Sequence, residues 1–180
     1  MLTITIKGNE LWDEKKGEFI DVKGQTLQLE HSLVSISKWE SKWHKPFISS
    51  EKRTREETID YIRCMTLTQN VDPMVYMAVT SQQIDEVNTY IDDPMSAKTF
   101  RKTPGKGRVY SSVTSEDIYS LMVSYQIPFE CKKWHFNRLM ALIKTCEENN
   151  SDGKKMKKNE YADFRRRLNA ARRAKYNTRG

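Results

Sequence analysis

Residues 27–43, LQLEHSLVSISKWESKW, contain the point at which the spacing of the apolar residues changes. Leu27 and Leu29 alternate with polar residues, which is the period of a strand with one buried face. From Ser32 onward the apolar residues recur at helical spacing, at Leu33, Ile36, Trp39 and Trp43. The stretch therefore predicts a strand followed directly by a helix, and it places the protein in the α+β class.

The residues before this stretch predict the rest of a small antiparallel sheet. Residues 2–7, LTITIK, alternate between apolar and polar side chains. Trp12 and residues 19–22, FIDV, flank the loop 13–17, which ends in a glycine and is typical of a β-hairpin. We therefore expect about three antiparallel strands over residues 1–31.

The residues after this stretch predict five or six helices over residues 32–148. The expected N-caps are Ser32, Thr54, Ser81 and Thr114. Thr54 is followed three positions later by Glu57, which fits a capping box. The clearest helix is expected over residues 130–147. Residues 98–112 have no apolar period and are rich in Lys, Arg, Gly, Ser and Thr, which indicates a loop.

The positive charge is concentrated at one end of the chain. Residues 151–180 contain eleven Lys and Arg against three Asp and Glu, a net charge of +8, whereas the whole chain carries +7. We therefore predict a globular α+β domain over residues 1–150 and a basic C-terminal arm over 151–180, with turn-forming residues at 149–153 between them. The arm is expected to form a helix whose apolar stripe consists of Tyr161, Phe164, Leu168 and Ala171.

A basic arm of this kind is typical of a segment that meets nucleic acid or an acidic protein. The residues that we expect to make such contacts are Lys154, Lys155, Lys157, Lys158, Arg165, Arg166, Arg167, Arg172 and Arg173. Binding to nucleic acid would weaken steeply with salt. Alternatively, the helix could dock its apolar stripe on a protein and leave the charges in solvent.

Composition points to an intracellular protein without a membrane span. No run approaches the roughly 18 consecutive apolar residues that a transmembrane helix needs. The alternating residues 1–7 do not have the basic-then-apolar order of a secretion signal. Three widely spaced cysteines do not suggest a disulfide framework, so we expect a reducing compartment.

The sequence motifs do not favour catalysis. Cys131 and His135 are spaced as two ligands of one metal ion on a helix, but no further pair completes the set at a familiar spacing. Residues 103–108, TPGKGR, lack the preceding buried strand and the following helix of a phosphate-binding loop. We therefore expect a non-enzymatic protein and predict no catalytic residue, no cofactor and no metal site.

One aromatic cluster has two interpretations. Trp39 and Trp43 lie one helical turn apart, Phe47 follows closely, and lysines are interleaved between them. These side chains could anchor a protein partner or stack on bases. The alternative, which we favour, is that they belong to the core beside the sheet.

Four segments together carry a family resemblance: residues 27–43; 58–66, TIDYIRCMT; 127–139, IPFECKKWHFNRL; and 168–173, LNAARR, with 177–180, NTRG. They resemble a family of small proteins from the tail-morphogenesis region of tailed bacteriophages and prophages, mostly long-tailed ones. The similarity extends over nearly the whole chain and is weakest in residues 98–112.

The resemblance implies a tail assembly chaperone that acts in the host cytoplasm. Such a protein keeps the tape measure protein soluble while tail tube subunits polymerise around it, and it needs exposed apolar anchors. An oligomer is compatible with this role. Two alternatives stay open: a minor structural protein of the tail, connector or capsid that is retained in the virion, and a DNA-binding accessory protein that uses the basic arm.

Overall fold

An N-terminal set of strands followed by helices forms the α+β fold that the sequence predicts. The computed structural model of the chain describes residues 1–13, 17–49, 52–99, 113–151, 165–167, 169–170 and 173. Its strands are β1 (Leu2–Ile6), β2 (Asn9–Asp13), β3 (Glu18–Val22) and β4 (Gln25–Leu29). Its helices are α1 (Leu33–Trp43), α2 (Arg55–Met65), α3 (Ser81–Asp92), α4 (Ser115–Ser124) and α5 (Phe136–Ser151), with 3₁₀ helices at Pro73–Ala78 and Phe129–Lys133.

The chain divides into two compact units, Met1–Ile143 and Lys144–Gly180. The first unit contains all four strands and the helices α1 to α4. Its buried apolar core is drawn from the strands and from each of these helices. In the second unit, residues 165–167, 169–170 and 173 are helical. Most of the loop expected at 98–112, namely residues 100–112, lies outside the described residues, as does the apolar stripe of the arm.

The strands form two antiparallel pairs that share one register. β1 pairs with β4, matching Leu2 with Leu29, and β2 pairs with β3, matching Asn9 with Val22. The residue numbers of directly opposed partners add up to 31 in both pairs, so the register continues from one pair to the next. The hairpin predicted around residues 13–17 is present, and Gly17 has the positive φ that the turn needs, at 68°.

The predicted number of strands, about three, was wrong because two glycines divide the hairpin. Gly8 and Gly24 lie between the strand pairs, and their backbones approach each other closely. A Cβ atom on Gly24 would lie 2.7 Å from the amide nitrogen of Gly8 and 3.0 Å from the carbonyl oxygen of Ile6. Only glycine fits this contact, so four short strands replace the expected three.

One face of the β1–β4 pair forms one side of the core. Ile4, Ile6, Leu27 and Leu29 are all buried, as the alternation predicts. The chain that leaves α2 continues along β4: the amide of Leu67 donates to the carbonyl of Gln28 at 2.8 Å. The residues that follow α2 therefore lie alongside β4, at the edge of the sheet face on which the helices pack.

Most helix starts agree with the sequence prediction because capping is local. Ser32 accepts a hydrogen bond from the amide of Ser35, and Thr54 forms the expected capping box with Glu57. At the start of α4, the amide of Thr114 donates to Asp117 at 3.0 Å. The expected cap of α3 was displaced by one residue, since Thr80 and not Ser81 closes a capping box with Gln83.

The predicted start of the helix over residues 130–147 was wrong. A 3₁₀ helix ends at Lys133, and α5 begins only at Phe136. Between them His135 forms an antiparallel bridge with Ser32, and the amide of Phe136 donates to the carbonyl of His31 at 2.7 Å. This tertiary pairing requires extended backbone at Trp134, whose ψ is 162°, and it interrupts the helix.

The glycine contact predicts that Gly24→Ala destabilises the fold. The new Cβ would force the two strand pairs apart, and overpacking of this kind costs about 1–3 kcal/mol of unfolding free energy. Urea unfolding monitored by circular dichroism measures the loss. Lys23→Ala, at the neighbouring exposed position, is the control and should change stability by less than about 0.5 kcal/mol. Equal stabilities of the two variants would contradict the close backbone contact.

Candidate protein-binding surface

Two of the three aromatic residues predicted as partner anchors lie in the core. Trp39 is 2% exposed and Phe47 is 5% exposed, and their ring centroids are 5.3 Å apart in an edge-to-face arrangement. Trp43 stacks on Trp39 and is half-buried. This burial agrees with the core interpretation of the cluster, and it leaves only the outer part of Trp43 within reach of a partner.

The indoles are fixed by polar contacts to α2. Trp39 Nε1 donates to the carbonyl oxygen of Glu57 at 3.0 Å, and Trp43 Nε1 donates to Asp60 Oδ2 at 2.9 Å. Lys45 Nζ donates to Glu57 Oε1 at 2.8 Å, and this bond, together with one from the Thr54 amide, lowers the pKa of the Glu57 carboxyl. The polar atoms of the cluster are therefore engaged in holding α1 to α2.

A buried carboxylate joins α1 to the start of α4. Glu40 Oε1 accepts from the amide of Phe47 at 2.8 Å, and Glu40 Oε2 accepts from the amide of Ser115 at 2.8 Å. The second bond satisfies an amide in the first turn of α4, where a negative charge is also favoured by the helix dipole. Glu40 thus has a structural explanation and does not suggest acid–base chemistry.

A second buried polar cluster surrounds His31. Its Nδ1 atom is joined by a hydrogen bond of 2.5 Å to the hydroxyl of Tyr61, which lies 3.3 Å from Ser35 Oγ. The His31 ring also lies edge-to-face with His135, with centroids 5.1 Å apart. Burial, the neighbouring His135 and the positive charge of Arg53 lower the pKa of His31 to about 3. His31 is therefore neutral at physiological pH.

His135 is held in one tautomer by its backbone partners. The amide of Asn137 donates to His135 Nδ1 at 3.3 Å, so the proton is on Nε2, which lies 3.0 Å from the carbonyl oxygen of Tyr90. Burial is the main cause that lowers the pKa of His135. Tyr90 in turn donates to Glu30 Oε1 at 2.7 Å.

The arrangement of Ser35, Tyr61 and His31 resembles a catalytic set only superficially. All three side chains are buried, with exposed fractions of 1–2%. A nucleophile must reach a substrate carbonyl or phosphoryl group, and this closed packing gives no such access. The cluster instead satisfies the polar groups where β4, α1 and α2 meet.

Among the residues that the structure describes, the most exposed aromatic pair lies on the β2–β3 hairpin. Trp12 is 54% exposed and Phe19 is 67% exposed. They are directly opposed across the two strands, with ring centroids 4.9 Å apart in an edge-to-face arrangement. Large apolar side chains left in solvent at one place are typical of a binding site for another molecule. The hairpin pattern was recognised in the sequence, but its exposure was not.

A smaller apolar patch lies on the outer side of α4. Tyr119 and Phe129 stack with centroids 6.5 Å apart, and Val123 follows Tyr119 by one helical turn. Phe129 and Val123 are each more than half exposed. This patch offers a second apolar contact on the first unit.

Four of the predicted acidic-partner contacts are described, and all four are exposed. Arg165, Arg166, Arg167 and Arg173 are helical residues of the second unit. The other five, Lys154, Lys155, Lys157, Lys158 and Arg172, lie outside the described residues. The exposure of the four arginines is compatible with contacts to phosphates or carboxylates.

The described residues contain neither a metal-binding cluster nor a membrane-spanning helix. Cys131 and His135 are both buried, and no group of three or more His, Cys, Asp or Glu side chains within the described residues could hold a metal ion. Among the helices of the described ranges, none is long and apolar enough to cross a bilayer.

The neutral His31 predicts that stability falls in mild acid. Its pKa is lower in the folded chain than in the unfolded chain, so the unfolded state binds more protons below the ordinary pKa of about 6.5. His31 alone should therefore decrease the free energy of unfolding by up to about 1.4 kcal/mol per pH unit from pH 6.5 to pH 5, and His135, whose pKa is also lowered by burial, adds a change of the same sign.

Urea unfolding at several pH values measures this slope in the wild type and in His31→Asn, which removes the titrating ring. The variant should be less stable at pH 7 but should show a flatter pH dependence. His44→Asn, at an exposed position, is the control and should keep the wild-type slope. An unchanged slope in His31→Asn would contradict the assignment of the acid sensitivity to His31.

Comparisons were made with protein-family models, with curated proteins and with solved structures, and none of the three finds a match to this chain.

Proposed function

We propose that this protein is a non-enzymatic tail assembly chaperone of a tailed bacteriophage. It binds the tape measure protein in the host cytoplasm and keeps it soluble until tail tube subunits assemble around it. The resemblance of residues 27–43, 58–66, 127–139 and 168–173 with 177–180 to phage tail-morphogenesis proteins supports this proposal. A chaperone of this type needs exposed apolar side chains that can contact the partner while the first unit stays folded.

The observation that carries the proposal is the exposed pair Trp12 and Phe19. Full burial of an aromatic side chain contributes roughly 1.5–3 kcal/mol, so covering the pair would supply a useful part of a binding free energy. Both side chains are held on a paired hairpin, which limits the conformational entropy lost on binding. The patch of Tyr119, Val123 and Phe129 provides a second contact for a long, apolar partner.

A second candidate function is favoured by the described arginines of the basic arm. The exposed residues 165–167 and Arg173 could contact DNA or acidic neighbouring subunits in a particle. In that case the protein is a minor structural protein retained in the virion, or a DNA-binding accessory protein.

Co-expression with the tape measure protein tests the chaperone function. Wild-type protein should raise the soluble fraction of the tape measure protein several-fold, measured by quantifying soluble and pelleted protein. Trp12→Ser/Phe19→Ser should lose most of this gain because the apolar contact is removed. Leu67→Ser/Met77→Ser is the matched control, since Leu67 and Met77 are 55% and 62% exposed at other places, and it should retain the gain. No gain with the wild-type protein would refute the proposal.

Quantitative mass spectrometry of mature particles separates the chaperone from the virion protein. Abundance in infected lysate with absence from particles supports a chaperone that leaves after assembly. A fixed copy number per particle would show a structural protein instead. For the DNA-binding alternative, removal of residues 151–180 should abolish a salt-sensitive shift of DNA, and an unchanged shift would exclude the arm as the DNA contact.

A further inference from the structure

Four side chains form one exposed face of the β2–β3 hairpin, which we call the ribbon face: Glu10, Trp12, Phe19 and Asp21. Trp12 is directly opposed to Phe19, and Glu10 is directly opposed to Asp21. Directly opposed residues, and residues two positions apart on one strand, point to the same side of a ribbon. All four side chains are exposed, so an aromatic pair and an acidic pair lie next to each other in solvent.

The acidic pair is unfavourable for the isolated hairpin. Like charges that are directly opposed across two strands repel each other and weaken the pairing. Within the described residues, neither Glu10 nor Asp21 takes part in an ion pair with a lysine or an arginine. A cation placed over this face would relieve the repulsion, and the neighbouring rings would provide an apolar surface for its carbon atoms.

We propose that the ribbon face binds a cationic segment of a partner protein in which arginines alternate with apolar residues. This inference rests on the protein-binding role proposed above and specifies the chemistry of the partner. A guanidinium group stacks on an indole or phenyl ring and can donate hydrogen bonds to an adjacent carboxylate at the same time. Trp12 and Phe19 supply the rings, and Glu10 and Asp21 supply the acceptors.

The two pairs have different roles in recognition. The rings provide affinity for any apolar chain, because burial of aromatic surface is not directional. The carboxylates provide selection, since an acidic segment would add further negative charge to a face that already carries two. The ribbon face should therefore discriminate between peptides of equal apolar content by the sign of their charge.

Fluorescence anisotropy with the full chain and dye-labelled peptides tests the proposal. An Arg-Leu-Arg-Leu-Arg peptide should bind, whereas a Glu-Leu-Glu-Leu-Glu peptide should not. A Lys-Leu-Lys-Leu-Lys peptide should bind a few-fold more weakly than the arginine peptide, because an ammonium group does not stack as a guanidinium does. Binding of the arginine peptide should weaken between about 50 mM and about 300 mM salt, since the charges are exposed.

Variants separate the charges from the rings. Glu10→Gln/Asp21→Asn should weaken the arginine peptide by about five- to tenfold, as expected for two exposed ion pairs. Trp12→Ser/Phe19→Ser should weaken it at least as much. Asp85→Asn/Glu86→Gln removes the same two charges from an exposed part of α3, and it should bind like the wild type. Circular dichroism confirms that each variant is folded.

Three results would overturn the proposal. The first is equal binding of the arginine peptide and the glutamate peptide. The second is unchanged arginine-peptide binding in Glu10→Gln/Asp21→Asn. The third is salt-sensitive self-association of the wild-type chain that disappears in Glu10→Gln/Asp21→Asn, because a second copy would then be the occupant of the face.

The outcome is distinguishable from that of the chaperone experiment. If the peptides are not discriminated but Trp12→Ser/Phe19→Ser still fails to solubilise the tape measure protein, only the charge selection is refuted. If the arginine peptide is selected but the wild-type chain does not solubilise the tape measure protein, the ribbon face stands and the partner is a different cationic protein.

Discussion

The pairing of residues 31–32 with residues 135–136 is the contact on which the arrangement of the first unit depends. The carbonyl of His31 accepts from the amide of Phe136, and Ser32 bridges to His135. This pairing lies where the sheet ends and α1 begins, so it ties the start of α5 to the junction of strand and helix. The His31 ring, neutral and buried, occupies the space between Tyr61, Phe47 and His135.

The features that were predictable from the sequence are those that local chemistry determines. The caps at Ser32 and Thr54 depend on side chains three residues apart, and the hairpin depends on a glycine turn between alternating residues. The break before α5 was not predictable, because residues 130–147 have a continuous helical period and the interruption comes from His31, far away in the chain. The division of the hairpin depends likewise on Gly8 meeting Gly24, and neither glycine indicates this contact alone.

In the candidate site, the sequence predicted which aromatic residues share a face but not which of them are exposed. Trp39 and Trp43 share one helical face in the sequence, yet Trp39 is buried by Phe47 and α2 while Trp43 keeps an exposed part. Trp12 and Phe19 flank the predicted turn, so their pairing follows from the hairpin register. Their exposure does not, because the same alternation would describe a hairpin packed against the helices. Burial is a property of the assembled unit, and periodicity indicates only which residues share a face.

The contrast between the core and the ribbon face bears on why the exposed pair exists. In the core, the carboxylate of Glu40 accepts hydrogen bonds from two amides, and the Trp39 indole donates to a backbone carbonyl. These buried polar groups therefore have hydrogen-bond partners. On the ribbon face, two like charges are opposed beside two solvated rings, which weakens the hairpin and costs solubility. A sequence selected for stability alone would place a lysine opposite Glu10 and small polar residues at positions 12 and 19. An unfavourable face of this kind is what we expect if the hairpin has the recognition role that we propose.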